Sequence, residues 1–268
     1  MSEGFSADWL RLREPYDTIA CDRGLLGQLA AWAGTLDEIR VVDLGSGTGS
    51  NLRRTAPALA GRQDWTLVEW DPALMAAGER HLQAAPVVWR YRRLDLSVDL
   101  ERLAAEPCHL LTASALLDLV SASWLDRLTA LRGRLGAALY VTLSYVGGVR
   151  WWPEDPYDRT AMALVDRHQG TDKGFGPALG PQAGPALATL LAGQGKVLTA
   201  ASPWRLGAAD REIQALLLDG YVGAAAELAP DSRDELNAWG RRRHALVADG
   251  RSHLEVAHQD LLFLPDRG

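Results

Sequence analysis

The feature that most constrains this chain is a short apolar strand that runs into a glycine-rich turn. Residues 41–49 read Val-Val-Asp-Leu-Gly-Ser-Gly-Thr-Gly, and the segment from Ser50 to Arg54 can open a helix. Glycines at such a turn let bare backbone approach a ligand, and the first N–H groups of the helix face that ligand. The sequence therefore predicts a nucleotide-type pocket in the N-terminal third of the chain.

The spacing of the glycines and one neighbouring acid indicate the kind of nucleotide. A dinucleotide fingerprint reads G-x-G-x-x-G and rests a pyrophosphate on the helix N-terminus. Here Gly45, Gly47 and Gly49 give G-x-G-x-G, and Asp43 stands two residues before the first glycine. A carboxylate at that position would repel a pyrophosphate, and it suits a ligand that carries an ammonium and a sulfonium.

A second apolar run, Trp65 to Val68, predicts the next strand, and Glu69-Trp70-Asp71-Pro72 follows it. An acid at the carboxyl end of this strand can accept hydrogen bonds from ribose hydroxyls. Glu69 is the stronger candidate, because Asp71 followed by Pro72 is typical of a helix N-cap with proline at the first helical position. The alternative is that both acids are caps or turn residues.

This order of motifs resembles the class I S-adenosylmethionine-dependent methyltransferases over about residues 20–146. Residues 41–49 match the first motif of that family and Glu69 its ribose-binding acid. Residues 94–96 resemble the segment after the third strand, where an acid meets the adenine amino group, and 110–118 resemble the fourth strand with its loop. The resemblance implies S-adenosylmethionine as the cofactor and leaves the methyl acceptor open. The residues predicted to bind the cofactor are Arg13, Tyr16, Asp43, Gly45, Ser46, Gly47, Asn51, Glu69, Trp70, Asp95, Leu96 and Ser114.

The alternation of apolar runs with helical patterns predicts an α/β fold with a doubly wound, mostly parallel sheet. The resemblance implies seven strands. The predicted strands are 40–44, 65–69, 87–92, 108–113, 137–144, 196–201 and 254–264. The predicted helices are about 50–59, 72–83, 98–104, 121–133, 157–168, 181–193, 208–228 and 231–247, with two more in 6–33 that Pro15 separates.

The 268 residues are long enough for one large domain with insertions. We expect an N-terminal helical cap over residues 1–36, a substrate lid over 147–180 and a helical insertion over 207–250. The lid is predicted because this Gly- and Pro-rich segment with scattered aromatics begins at the carboxyl end of the fifth strand.

Methyl transfer from a sulfonium disperses charge, so it chiefly needs alignment and a dry pocket, and an oxygen or nitrogen acceptor also needs a base. Asp118 and His168 are the predicted catalytic residues; His168 and Asp172 could each serve as a base or a substrate anchor, with Lys173 holding an anionic group. For each of them a purely structural role is the alternative. His258 is expected to be a satisfied core residue of the last strand.

One set of tryptophans and one run of arginines each allow two roles. Trp151, Trp152 and Trp204 could form an aromatic wall for a flat or cationic acceptor, or they could be core residues. The triple arginine 241–243 is expected to be a solvated helix face rather than an RNA contact.

The composition bears on partners and location. A net charge of −6 argues against nucleic acid as the main partner, and two cysteines imply neither a disulfide framework nor a zinc site. With no signal peptide or membrane-spanning segment in evidence, we expect a cytoplasmic enzyme that contains no metal and that could form a homodimer. The alternatives are an NAD(P)-dependent reductase on the same fold and a non-catalytic interaction module that retains the fold.

Overall fold

A computed structural model of the chain describes residues 6–266, in which eight strands form one sheet. The strands are β1 (Glu38–Leu44), β2 (Arg62–Glu69), β3 (Val88–Arg93), β4 (Leu110–Ser114), β5 (Ala138–Trp152), β6 (Gly195–Ala201), β7 (Trp204–Leu206) and β8 (His253–Pro265). Their order is β3-β2-β1-β4-β5-β8-β6, with β7 paired to β8. The first five strands are mutually parallel, and β8 is antiparallel to β5, β6 and β7.

The helices cover both faces of this sheet. They are α1 (Ala7–Ala20), α2 (Arg23–Ala33), α3 (Ser50–Thr55), α4 (Pro72–Leu82), α5 (Ala122–Leu135), α6 (Asp158–Gln169), α7 (Ala183–Leu191), α8 (Arg211–Leu228) and α9 (Arg233–Ala248). Short 3₁₀ helices occupy 56–58, 100–105, 117–119, 180–182 and 230–232. The predicted α/β fold with a mostly parallel sheet is confirmed. The strand count of seven is corrected to eight, because Trp204–Leu206 adds a short strand against β8.

The central strands are buried on both faces, which explains their continuous apolar runs. One apolar core lies between the sheet and helices α5 and α7, and a second lies on the opposite face with α2, α3 and α4. A third core joins the distal half of β5 to α6, α8 and α9. The helices α8 and α9 occupy the region predicted as a helical insertion.

The predicted cap at residues 1–36 differs from expectation at Pro15, and its residues 1–5 lie outside the described part of the chain. Helix α1 continues through Pro15, and the break falls instead at Cys21–Asp22, where Asp22 caps α2. Pro15 is exposed, so neither its ring nor the freed carbonyl is enclosed by other groups. The Arg13–Asp17 side-chain pair spans the proline on the buried side and supports the helix.

Residues 147–152, predicted to begin the substrate lid, instead extend β5. The strand pairs with β8 from Leu139 opposite Phe263 to Trp152 opposite His253, with irregular register near 141–144 and 145–149. These bulges turn Val149 and Trp151 into the third core. The irregular part of the predicted lid is therefore limited to the turns on either side of α6, of which residues 170–179 reach the cavity described below.

Candidate functional site

A cavity of about 420 Å³ lies at the carboxyl ends of β1, β2 and β4, where the strand order reverses between β1 and β4. Ligands of open α/β sheets bind at this position. Eleven of the twelve predicted cofactor residues line it. They are Arg13, Asp43, Gly45, Ser46, Gly47, Asn51, Glu69, Trp70, Asp95, Leu96 and Ser114.

The glycine turn needs its glycines for two separate reasons. Gly45, Gly47 and Gly49 have φ of 63°, 54° and 78°, in the left-handed region that side chains disfavour. In addition, a Cβ on Gly47 would lie 2.9 Å from Leu10 Cδ1 of helix α1. The turn thus presents bare backbone directly below α1.

Asp43 forms the floor of the cavity. The side chain is fully buried, and its Oδ1 accepts a hydrogen bond from Asn51 Nδ2 at 2.7 Å. Its other oxygen, Oδ2, is buried without any partner among the described residues. Burial raises the pKa of Asp43 from 3.8 to about 7, although the Asn51 hydrogen bond and the Arg54 charge lower it.

Arg54 is a functional residue that the sequence reasoning missed. Its Nη2 donates to Asn51 Oδ1 at 2.7 Å and to Thr142 Oγ1 at 3.0 Å, with Ser114 Oγ at 3.3 Å. The guanidinium therefore fixes the Asn51 amide so that its NH₂ group points to Asp43. The available signal was the position of Arg54 three residues after Asn51, on the same face of α3.

Glu69 closes the other side of the glycine turn. Its Oε2 accepts from the Gly47 backbone N–H at 2.8 Å, and its Oε1 accepts from the N–H groups of Trp70 and Asp71 at 2.7 and 2.9 Å. A carboxylate offers about four acceptor sites, so Oε2 keeps capacity for a further donor. Asp71 caps α4 through Ala73 N–H at 2.7 Å, as predicted, and it also lines the cavity.

The wall beyond Glu69 combines one acid with apolar surface. Asp95 Oδ1 accepts from the backbone N–H and the hydroxyl of Ser97, at 2.9 and 2.6 Å. The Leu96 carbonyl is held by Trp124 Nε1 at 2.8 Å, and Phe175 packs edge-on against Trp124 with ring centroids 5.7 Å apart. The contact of Phe175 with Trp124 places residues 173–175 in the cavity lining next to Leu96.

Helix α1 covers the opposite side of the cavity. Arg13 donates to both oxygens of Asp17 at 3.0 and 3.2 Å, and it lies 4.9 Å from the Trp204 ring centroid. A bidentate pair between Arg53 and Glu14, at 2.8 and 2.6 Å, ties α1 to α3. Hydrogen bonds within the protein thus hold Arg13 and fasten α1 to α3.

Tyr16, the remaining predicted cofactor residue, does not line the cavity. Its hydroxyl donates to Asp210 Oδ1 at 2.9 Å, and its ring packs in the third core. Burial and the Asp210 carboxylate raise the pKa of Tyr16 to about 12. One helical turn places Arg13 and Asp17 on the cavity side, and Tyr16 lies on the adjacent face.

The two predicted catalytic residues also lie behind the cavity lining. Asp118 is half-buried in the short helix 117–119 and accepts a hydrogen bond from the Tyr145 backbone N–H, while burial raises its pKa. His168 lies between Glu227 Oε2, at 2.9 Å from Nε2, and Lys173 Nζ, at 3.3 Å from Nδ1. Of this group Lys173 lines the cavity. Asp172 fixes the loop by accepting from the N–H groups of Gly174 and Gly176 at 2.7 and 3.0 Å.

The predicted aromatic wall does not form at the cavity. Trp151 and Trp204 are buried in the third core, and Trp152 is 46% exposed away from the cavity lining. His258 is buried beside Trp204, and burial together with the Arg13 charge lowers its pKa to about 3. The expected core position of His258 is confirmed, but its Nδ1 has no hydrogen-bond partner among the described residues.

The arginine triplet is only partly a solvated face. Arg241 is exposed and Arg242 pairs with Asp155 at 2.6 Å, whereas Arg243 is fully buried in an ion pair with Asp158. The expectation of a solvated face is therefore wrong for Arg243, which ties α9 to the start of α6.

The sheet order with its reversal between β1 and β4, the antiparallel β8 and the glycine turn after β1 define a doubly wound α/β fold. The sequence matches no model of a known protein family and no curated protein. Among solved structures, the YcgJ protein of Bacillus subtilis superposes with a TM-score of 0.51 at 11% identity, over 92% of this chain and all of that one. This similarity shows the fold.

Two further structures give lower scores. The S-adenosylmethionine-dependent methyltransferase from Geobacter sulfurreducens, solved with S-adenosylhomocysteine, gives a TM-score of 0.46 at 16% identity over 95% of this chain and 98% of that one. The cyclopropane synthase MmaA2 from Mycobacterium tuberculosis gives 0.48 at 11% identity over 97% and 94%.

Within residues 6–266, no group of three or more His, Cys, Asp and Glu residues is placed to hold a metal ion. None of the described helices has the length and apolar character required to cross a bilayer.

Proposed function

We propose that this protein is an S-adenosylmethionine-dependent methyltransferase that acts on a small-molecule acceptor by in-line displacement. The single observation that carries the proposal is the buried Asp43 carboxylate, which has one unpartnered oxygen at the floor of the cavity. Leaving a buried acceptor unpaired is unfavourable, and a cationic donor from a ligand would satisfy it. A diphosphate at the same place would meet repulsion instead.

The remaining cavity residues fit the other parts of this cofactor. We propose that Glu69, whose Oε2 keeps acceptor capacity, binds the ribose hydroxyls, and that Asp95 and Leu96 bind the adenine edge. Ser114 would lie over the adenosine, and Arg13 would approach the carboxylate end from α1. Gly47 lines the cavity with backbone alone, beside Leu10 and Glu69.

When bound, the cofactor would supply an electrophilic methyl group on a sulfonium. The contribution of this chain is to align the acceptor and exclude water. Helix α1 and residues 173–175 cover the cavity from two sides, and the Arg53–Glu14 pair holds α1 closed. Because Asp118 and His168 do not line the cavity, we do not assign direct proton removal to either.

The test is calorimetric titration with S-adenosylmethionine, S-adenosylhomocysteine, NADH and NADPH. We expect both sulfur ligands to bind, and Asp43→Asn to weaken S-adenosylmethionine binding about tenfold or more, the value of a hydrogen bond to a charged group. Asp231→Asn is the matched control because Asp231 is exposed and remote from the cavity. Binding of a nicotinamide cofactor without S-adenosylmethionine would refute the proposal in favour of a reductase.

A second experiment separates an enzyme from a binding module. Purified protein with radiolabelled S-adenosylmethionine is incubated with fractionated metabolite extracts, and transfer of label to an organic-soluble or anionic product is expected. Binding of the cofactor with no acceptor in any fraction would favour a non-catalytic module. The proposed cytoplasmic location and the possible homodimer rest on the sequence expectations alone.

A further inference from the structure

Lys173 is the cation of the cavity that no carboxylate neutralises. Its Nζ donates to Thr171 Oγ1 at 2.9 Å and lies 3.3 Å from His168 Nδ1, and within residues 6–266 it makes no salt bridge. Arg13, the other cation that lines the cavity, is neutralised by the bidentate Asp17. The hydrogen-bond partners of Lys173 are a hydroxyl and an imidazole; burial lowers the pKa of Lys173, and the Glu227 charge raises it.

The His168 ring lies between Lys173 and Glu227. An ammonium has donors and no acceptor, so with Lys173 protonated His168 Nδ1 is the acceptor and the ring hydrogen lies on Nε2. That hydrogen is donated to Glu227 Oε2 at 2.9 Å, which holds the ring in this orientation. Two of the three ammonium hydrogens have partners, and one remains for a ligand.

Lys173 lies on the segment that connects α6 with the wall of the proposed adenine site. His168 ends α6, which packs against β5 and α8, whereas Asp95 follows β3 at the far edge of the sheet. Lys173 therefore enters the cavity lining from the end of α6, and Phe175, two residues later, packs against Trp124, which holds the Leu96 carbonyl. The S-adenosylhomocysteine affinity of Lys173→Met, described below, distinguishes a contact with an acceptor from a contact with the cofactor.

We propose that the methyl acceptor carries an anionic group, a carboxylate or a phosphate, and that Lys173 binds it; this inference rests on the proposed function. Hydrogen bonds between an ammonium and an anion are short and strong, and partial burial increases their strength. His168 and Glu227 are positioning residues that hold the ammonium in the cavity.

The experiment uses the full chain with ε-¹³C-labelled lysine, saturated with S-adenosylhomocysteine. The chain has two lysines, Lys173 and the exposed Lys196, so two resonances report separately on the site and on the surface. Sodium phosphate and sodium acetate are titrated at constant ionic strength. We expect the Lys173 resonance to shift saturably with at least one of these anions, and the Lys196 resonance to stay in place.

Three variants sharpen the measurement. Anion affinity measured by calorimetry should fall about tenfold or more in Lys173→Met, stay within a few-fold in Lys173→Arg and be unchanged in Lys196→Met. Glu227→Gln should weaken anion binding less than Lys173→Met while leaving S-adenosylhomocysteine affinity unchanged.

The outcomes distinguish the two proposals. If S-adenosylhomocysteine fails to bind, the proposed function is refuted and this inference with it. If it binds but neither anion shifts the Lys173 resonance, the anionic acceptor alone is refuted. A tenfold loss of S-adenosylhomocysteine affinity in Lys173→Met would also overturn the inference, because Lys173 would then belong to the cofactor site.

Discussion

Replacing Asp43 by asparagine should change how the stability of the folded protein depends on pH. Burial raises the pKa of Asp43 from 3.8 to about 7, so between these values the folded protein holds a proton that the unfolded chain has lost. The folded state is therefore favoured at low pH, and this contribution is lost as the pH rises through about 7. The sign is opposite to that of a carboxylate in a salt bridge.

The size of the effect follows from the two pKa values. One pKa unit corresponds to about 1.4 kcal/mol, so the change from 3.8 to about 7 corresponds to about 4 kcal/mol. Roughly 3 kcal/mol of this falls between pH 5 and pH 8. Asparagine cannot titrate, so the unfolding free energy of the variant minus that of the wild type should rise by this order over the same range.

Urea unfolding followed by tryptophan fluorescence at pH 5, 6, 7 and 8 measures this difference, since the chain has ten tryptophans. A constant offset between the two proteins is of no consequence, because the reasoning concerns the slope with pH. Asp231→Asn serves as the control for the same substitution at an exposed position. Parallel stability curves for wild type and Asp43→Asn would refute the assignment of a raised pKa to this carboxyl.

Three further outcomes follow from the same site and its surroundings. At pH 6, calorimetry in two buffers of different ionisation enthalpy should show S-adenosylhomocysteine binding to the wild type with release of more protons than binding to Asp43→Asn, because the ammonium group of the ligand lowers the pKa of Asp43. Gly47→Ala should lower the free energy of unfolding by about 1–2 kcal/mol and weaken ligand binding. The control is Gly133→Ala, which has open space at its Cβ, and its thermal unfolding temperature should be unchanged or higher. In urea unfolding, Arg243→Met should lower the free energy of unfolding by about 3–5 kcal/mol, with ligand affinity unchanged. Arg241→Met should leave the free energy of unfolding unchanged. Equal stability of these two variants would contradict the buried ion pair.

The part of the site that sequence predicted best is the part that local backbone chemistry dictates. Gly45, Gly47, Asp43 and Glu69 lie within or directly after strands, and a parallel sheet brings the carboxyl ends of its strands to one edge. Their convergence therefore needs no knowledge of side-chain packing. Residues whose position depends on side-chain packing were harder to predict, and Arg54 is an example. Its contacts with Ser114 and Thr142 join helix α3 to two strands that are far away in sequence.

The errors at Pro15 and at residues 147–152 share a physical cause. A proline in a helix is costly when its ring or the freed carbonyl is enclosed, and the sequence alone does not show that Pro15 is exposed. Likewise, Val149 and Trp151 become strand residues only because β8, about a hundred residues later, supplies the hydrogen bonds. In both cases the secondary structure depends on residues far away in the sequence, whereas glycine content and aromatic spacing are properties of the local segment alone.

His168 illustrates the same limit at the level of chemistry. The sequence placed a histidine, an aspartate and a lysine within six residues and favoured the histidine as the reactive group. In the structure, both ring nitrogens of His168 contact protein groups, Glu227 and Lys173, and Lys173 lines the cavity. A histidine engaged on both sides orients its neighbour, so the chemical character of this side of the cavity is that of a fixed positive charge. An acceptor chosen by such a site is selected by its own negative charge, and that selection would persist whether or not any residue of this chain removes a proton.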